Sequence, residues 1–186
     1  MKTRLIMGLT AGAALLALTL GYEVGLFSSG NVHRLDAQAV RAAQPTPQRL
    51  AAIQATYGVR SVINLRGENR GADWYDQEVA ASRRLGLVHI DYRMSAKDRF
   101  DARRAAELIA VMRAAPKPVL IHCNGGADRS GLASALYLAA IAHQGHFRSE
   151  LQLSPLYGHI PLPFLRAFPM TSSFEGLEGW LGLSDD

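Results

Sequence analysis

The run His122-Cys123-Asn124-Gly125-Gly126-Ala127-Asp128-Arg129-Ser130-Gly131 holds the residue types best suited to chemistry in this sequence. Cys123 is the only cysteine among 186 residues. It follows Pro118-Val119-Leu120-Ile121-His122, which reads as a short strand buried at the centre of a sheet. After a turn rich in small residues, the apolar stretch from Gly131 to His143 reads as a largely buried helix. Backbone amides turned inward at such a turn make a nest for an anion, with a helix N-terminus behind it. The same field favours a thiolate, which makes Cys123 a candidate nucleophile. Arg129 adds a planar guanidinium whose fork matches two phosphoryl oxygens. Ser130 can donate its hydroxyl to the sulfur. The candidate phosphate loop is therefore Asn124, Gly125, Gly126, Ala127, Asp128 and Ser130, set around Cys123 and Arg129. A structural cysteine before an ordinary turn is the plainer reading of Cys123 alone. Five residues between it and Arg129, with Ser130 next, weigh against that reading.

Helical and strand patterns alternate along the chain that must position this loop. Thr46-Pro47 opens a helix carrying Leu50, Ile53 and Tyr57, and Gly58 stops it. Val59 to Leu65 reads as a strand, residues 74–85 as a helix closed by Gly86, and Leu87 to Tyr92 as a half-buried strand. Asp101 can cap a helix that runs to about Ala115, before Pro116 and Pro118. Short helices are expected over 147–153 and 172–181, around the Pro-rich stretch 161–169. This order predicts an α/β fold with a mainly parallel central sheet flanked by helices.

Composition narrows the function classes. Apolar residues make up 48% and charged residues 19%, which excludes a disordered chain and a polytopic membrane protein. The net charge of +4 comes from interspersed residues without a basic run, so nucleic acid is not an expected partner. One cysteine excludes an intramolecular disulfide and any Cys-rich zinc or iron–sulfur site. The N-terminus differs from the rest. Lys2 and Arg4 precede an uncharged stretch, Leu5–Tyr22, of about 27 Å as a helix, just enough to span a bilayer core. Residues 1–22 are expected to be a membrane anchor, one N-terminal hydrophobic helix, in preference to a cleaved signal peptide. Either role exports the chain beyond residue 22, with Lys2 and Arg4 held inside. Residues 23–32 read as a linker and 33–186 as the catalytic domain.

The whole pattern HCNGGADRS resembles the cysteine-x5-arginine signature of the protein tyrosine phosphatase superfamily. QAVRAAQPTPQRL, GVRSVINLRGE, PVLIHCNGGADRSG and LSPLYGH extend the resemblance, over residues 38 to 160, to compact bacterial dual-specificity phosphatases, exported members included. The resemblance implies hydrolysis of phosphorylated protein through a phosphocysteine intermediate, with no metal and no cofactor. It implies a phosphatase-type fold. With the anchor, it implies a single-pass protein of a bacterial inner membrane whose catalytic domain is periplasmic, or a secreted periplasmic one after cleavage. It also implies an aspartate acid on the loop 94–101, where Asp98 is the choice. Asp101 reads as a helix cap. Asp128 is the rival, since some bacterial phosphatases that resemble this chain carry Asp there.

The remaining residues receive plainer roles. His122 is expected to be structural, bonding the loop from the other side of the strand. Trp74 and Tyr75 are expected to pack the helix they start, although they could wall a phenyl ring. His143 and His146 read as a helix end, Arg66 and Glu68 as support for the site or a surface ion pair, and Tyr157-Gly158-His159 as packing. Because no lysine stands in the loop, polyphosphorylated lipid head groups find less support than phosphotyrosine, phosphoserine or phosphothreonine. A phospholipid or inositol-phosphate phosphatase stays as an alternative, as does a non-catalytic phospho-binding module. A sulfurtransferase would have a shorter loop between cysteine and arginine.

Overall fold

The computed structural model describes Leu18 and residues 21–22, 24–26 and 28–183. The anchor or signal read in residues 1–22 therefore lies outside the described residues, apart from Leu18, Gly21 and Tyr22. Among the described residues no helix is long and apolar enough to cross a membrane.

The fold is α/β. Five strands, β1 (His33–Arg34), β2 (Ala39–Ala42), β3 (Ser61–Asn64), β4 (Val88–Asp91) and β5 (Val119–His122), form one sheet in the order β1-β2-β5-β3-β4. β2, β5, β3 and β4 run parallel, and β1 pairs antiparallel with β2 at the edge. The sheet is thus mixed but mainly parallel, with one antiparallel strand at its edge. Neither β1 nor β2 is legible from periodicity, because β1 has two residues and β2, Ala-Val-Arg-Ala, places an arginine mid-strand.

Register does the positioning. Ala42, His122, Asn64 and Asp91 stand side by side at the C-terminal ends of four parallel strands. Gln44, Cys123 and Arg66 therefore leave the same edge of the sheet, where open α/β sheets place their ligands. Side chains alternate between the two faces. Ile63, Val119, Ile121 and Cys123 join the core that includes Leu108, Leu136 and Phe174, whereas Val40, Val62 and Leu120 join Leu50 and Ile53.

The helices flank both faces. α1 (Pro47–Tyr57) is capped by Thr46, whose hydroxyl accepts from the Arg49 amide, and ends on left-handed Gly58. α2 (Asp73–Arg84) and α3 (Ala102–Ala114) come next, the latter capped by Asp101 accepting from the Arg104 amide at 2.8 Å. α4 (Asp128–Ala140) starts three residues before the expected Gly131, because its first turn is the polar end of the loop. α5 (His146–Glu150) leads into 3-10 turns at Leu151–Leu153 and Pro155–Tyr157. α6 (Phe168–Leu181) starts four residues before the expected 172, since Pro169 is tolerated in a first helical turn.

Candidate active site

Four successive carbonyls of the turn after β5 are held by protein donors. Asn124 O accepts from the Gln44 amide at 3.0 Å and Gly125 O from Asn31 Nδ2 at 3.1 Å. Gly126 O and Ala127 O accept from Arg41 Nη2 at 2.7 and 3.0 Å. Across a planar trans peptide each carbonyl opposes the next amide. Tying these four carbonyls outward therefore turns the amides of Gly125, Gly126, Ala127 and Asp128 the opposite way, into the loop. Among the described residues none of those four amides is bonded to a protein acceptor. Gly126 makes the path possible. Its φ is +72°, and a Cβ there would stand 2.6 Å from the Ala43 nitrogen.

Arg41 is the element that the sequence pattern did not reveal. It is fully buried. Its Nη1 donates to Gln152 O and Oε1, both at 2.9 Å, while Nη2 holds the loop. The Tyr157 ring lies 4.5 Å from its guanidinium carbon. Burial pushes its pKa down to about 10, partly offset by Cys123, Tyr157 and Asp128, so it stays charged at neutral pH. One cation thus fixes the loop backbone and adds positive potential beneath Cys123. The available signal was a lone arginine in the alanine-rich QAVRAA.

Cys123 is buried, with Ser130 Oγ 3.4 Å from its sulfur. Arg129, in the first turn of α4, donates to no protein group among the described residues, so its fork is available to a ligand. Arg66 comes off β3 at the same edge. Its guanidinium carbon lies 3.4 Å from the Trp74 ring centroid, and Nη1 donates to Gln44 Oε1 at 2.8 Å. Its pKa is lowered first by burial and then by Arg129, with Glu78 and Cys123 opposing. Arg66 is therefore a second cation facing the loop, with Trp74 stacked on it. Glu68 instead pairs with Arg70 at the surface.

His122 points away from Cys123, toward α2. Its Nε2 lies 3.1 Å from Glu78 Oε1, and its Nδ1 lies 3.3 Å from Cys123 O. Glu78 also takes His89 Nε2 at 2.7 Å and the Gln44 amide group. Burial would raise the Glu78 pKa, yet the two histidines outweigh it and hold it at about 2. A folded-state value below the usual 4.5 gives stability that is present above pH 4.5 and lost as pH falls toward 2. Urea midpoints of the wild type are expected to drop across that window more steeply than those of Glu78→Gln. Parallel profiles would show that the carboxylate is not so held.

Asp128 and His159 meet unexpectedly. His159, fully buried, has Nδ1 2.7 Å from Asp128 Oδ1 and Nε2 2.7 Å from Thr171 Oγ1. Tyr157-Gly158-His159 is thus a rim of the loop as well as packing. Asp98 is exposed in a turn pinned by buried Met94 and by Phe100, whose amide donates to Ser173 Oγ at 2.8 Å. It makes no hydrogen bond or ion pair with the loop among the described residues. Tyr75 is buried on α2 and donates to Asp91 Oδ2 at 2.6 Å, so only Trp74 of the aromatic pair lies near the loop's cations. His143 lies three residues beyond the last residue of α4 with φ +51°, and His146 pairs with Glu178 at 2.8 Å.

The family model described as PTP-SAK, Swiss Army Knife protein, DSP-PTPase phosphatase domain, matches residues 37–176. The chain belongs to this family of cysteine-dependent phosphatases. No curated protein sequence matches it. Solved phosphatases share its fold. A Cys-to-Ser variant of P. aeruginosa TpbA in complex with pTyr is 20% identical over 84% of this chain and 93% of that one, with a TM-score of 0.59. A putative phosphatase (DUF442) from Shewanella putrefaciens CN-32 is 16% identical, over 81% of this chain and 92% of that one, with a TM-score of 0.62. PTPMT1 in complex with PI(5)P is 14% identical, over 80% and 97%, with a TM-score of 0.54. The phosphatase's only cysteine is Cys123.

Proposed function

We propose that this phosphatase hydrolyses phosphotyrosine in proteins, with phosphoserine and phosphothreonine as further substrates, through a phosphocysteine on Cys123. The observation that carries the reading is the set of four outward-tied carbonyls, which leaves amides free for three equatorial phosphoryl oxygens. Arg129 and those amides bind the phosphoryl group. Cys123 attacks phosphorus in line while Asp98 gives its proton to the leaving oxygen. Water, deprotonated by Asp98, then breaks the sulfur–phosphorus bond, and Ser130 supports the departing thiolate. No step uses a metal.

Substrate class is a matter of charge and shape. Within the loop the only charges are Asp128 and Arg129, and Asp128 is tied to His159, so a polyphosphorylated head group gains little there. Trp74, stacked on Arg66, offers an aromatic wall suited to a phenyl ring. TpbA, similar in fold, has been solved with pTyr. Turnover of a phosphotyrosine peptide, unchanged by chelator and well above that of dispersed phosphoinositide, is the expected result. A reversed preference would make the chain a lipid phosphatase of the same mechanism. Binding without turnover would make it a phospho-binding module.

Asp98→Asn tests the acid. General acid–base groups contribute about 10²–10⁴-fold. Loss of that order on a phosphotyrosine peptide, with much smaller loss on an activated aryl phosphate, is expected. Equal loss on both would move the role to Asp128 or Asp101. We also propose that the domain lies outside the cytoplasm, tethered through residues 1–22; the mature N-terminus, read by mass spectrometry, distinguishes a tether from a cleaved signal.

A further inference from the structure

We propose that residues 156–166 form a lipid-contacting surface that lays the rim of the active site on a bilayer. In this stretch, Leu-Tyr-Gly-His-Ile-Pro-Leu-Pro-Phe-Leu-Arg, every residue from Ile160 to Arg166 is exposed. Phe164 is 79% and Leu156 54% exposed, although the same fold fully buries Phe174 and Leu136. Contiguous exposed apolar surface of this kind marks a place where the molecule meets something apolar.

Three observations select a membrane as the occupant. First, the Tyr22 hydroxyl donates to Leu156 O at 2.7 Å, and Tyr22 is the last residue of the uncharged stretch Leu5–Tyr22. The apolar rim therefore begins where the bilayer-length sequence ends. Second, no Asp or Glu occurs from Leu151 to Phe174, and the one Lys or Arg there is Arg166. Apolar residues with a cation and no anion suit an interface of anionic lipid. Third, the surface is joined to the chemistry. Asn31 Nδ2 donates both to Tyr157 O at 2.9 Å and to Gly125 O of the phosphate loop, and His159 meets Asp128. Asn31 also donates its amide to Leu26 O at 2.8 Å. One buried residue thus links the segment after the apolar stretch, the exposed rim and the loop. Docking of the rim fixes the loop close to the lipid surface, which favours substrates held at that surface.

The test uses the full chain with vesicles of phosphatidylcholine and phosphatidylglycerol carrying a tagged lipid. The photo-cross-linker p-benzoylphenylalanine is placed at Phe164 or, as a reference, at Val88. Phe164 is exposed, so replacement by a larger ring leaves the fold intact. Val88 is exposed on β4, roughly 19 Å across the sheet from β1, whose His33 packs on Tyr157. Lipid adducts at Phe164 about fivefold or more above those at Val88 are expected, and Arg166→Glu is expected to lower them on anionic vesicles but not on neutral ones. Equal adducts at the two positions would overturn the proposal. Covalent dimers from Phe164 in place of lipid adducts would also overturn it, making the rim a contact between copies. The readout needs no catalysis, so it stands apart from the substrate assignment.

Discussion

Cys123→Ser is expected to lower turnover by roughly 10⁴-fold or more while changing the affinity for a phosphate analogue only a few-fold. The two effects separate because different atoms carry them. In the proposed mechanism the amides of residues 125–128 hold the anion, and those are fixed by bonds from Gln44, Asn31 and Arg41, none of which involves the sulfur. A serine hydroxyl fits the same space beside Ser130 but does not ionise near neutrality, so attack on phosphorus stops. Isothermal titration with vanadate or phosphate, beside initial rates, measures both quantities. Loss of binding together with turnover would show that the thiol holds the loop rather than attacking substrate.

Arg41→Met is the second large effect. It leaves Gly126 O and both oxygens of Gln152 without their buried donor, while Ala127 O keeps the Gly131 amide, and each unpaired group costs about 1–3 kcal/mol. A stability loss of roughly 3 kcal/mol or more is expected from denaturant titration. The released Gly126 carbonyl lets the amide of Ala127 drift, and a misplacement near 1 Å costs about 10²-fold in kcat/KM. Arg41→Lys keeps the charge but lacks the fork that spans the loop and Gln152, so it should recover stability only partly. A stable, fully active Arg41→Met protein would show that the loop holds its own shape.

The parts legible in the sequence were those written in local patterns. Thr46 and Asp101 cap the helices they precede, Gly58 ends one, and β5, with its apolar Val119–Ile121, is central, because caps, stops and burial act within a few residues. The loop was legible because its function is compressed into consecutive residues. Its supports were not. Arg41, Asn31, Glu78 and His159 reach it from positions 85, 94, 44 and 31 residues distant from their partners Gly126, Gly125, His122 and Asp128. Nothing in the spacing of one chain announces such meetings: the parallel register of β2 and β5 places Arg41, and segments outside the sheet bring in Asn31, Glu78 and His159. Nothing local in the sequence separates Glu78 from other helix carboxylates; the alternation along β5 is what turns His122 toward it. α4 began early for a similar reason. The apolar pattern marks where a helix is buried, and its polar first turn, Asp128 to Ser130, belongs to the loop's chemistry instead.

Rapid quenching of the enzyme during turnover of a phosphotyrosine peptide, combined with peptide mass mapping, examines the phosphoryl group in transit. A phosphoryl adduct on the peptide containing Cys123, rising before product and absent from Cys123→Ser, is the predicted result. Turnover with Cys123 unmodified throughout, or an adduct on any other side chain, would contradict it.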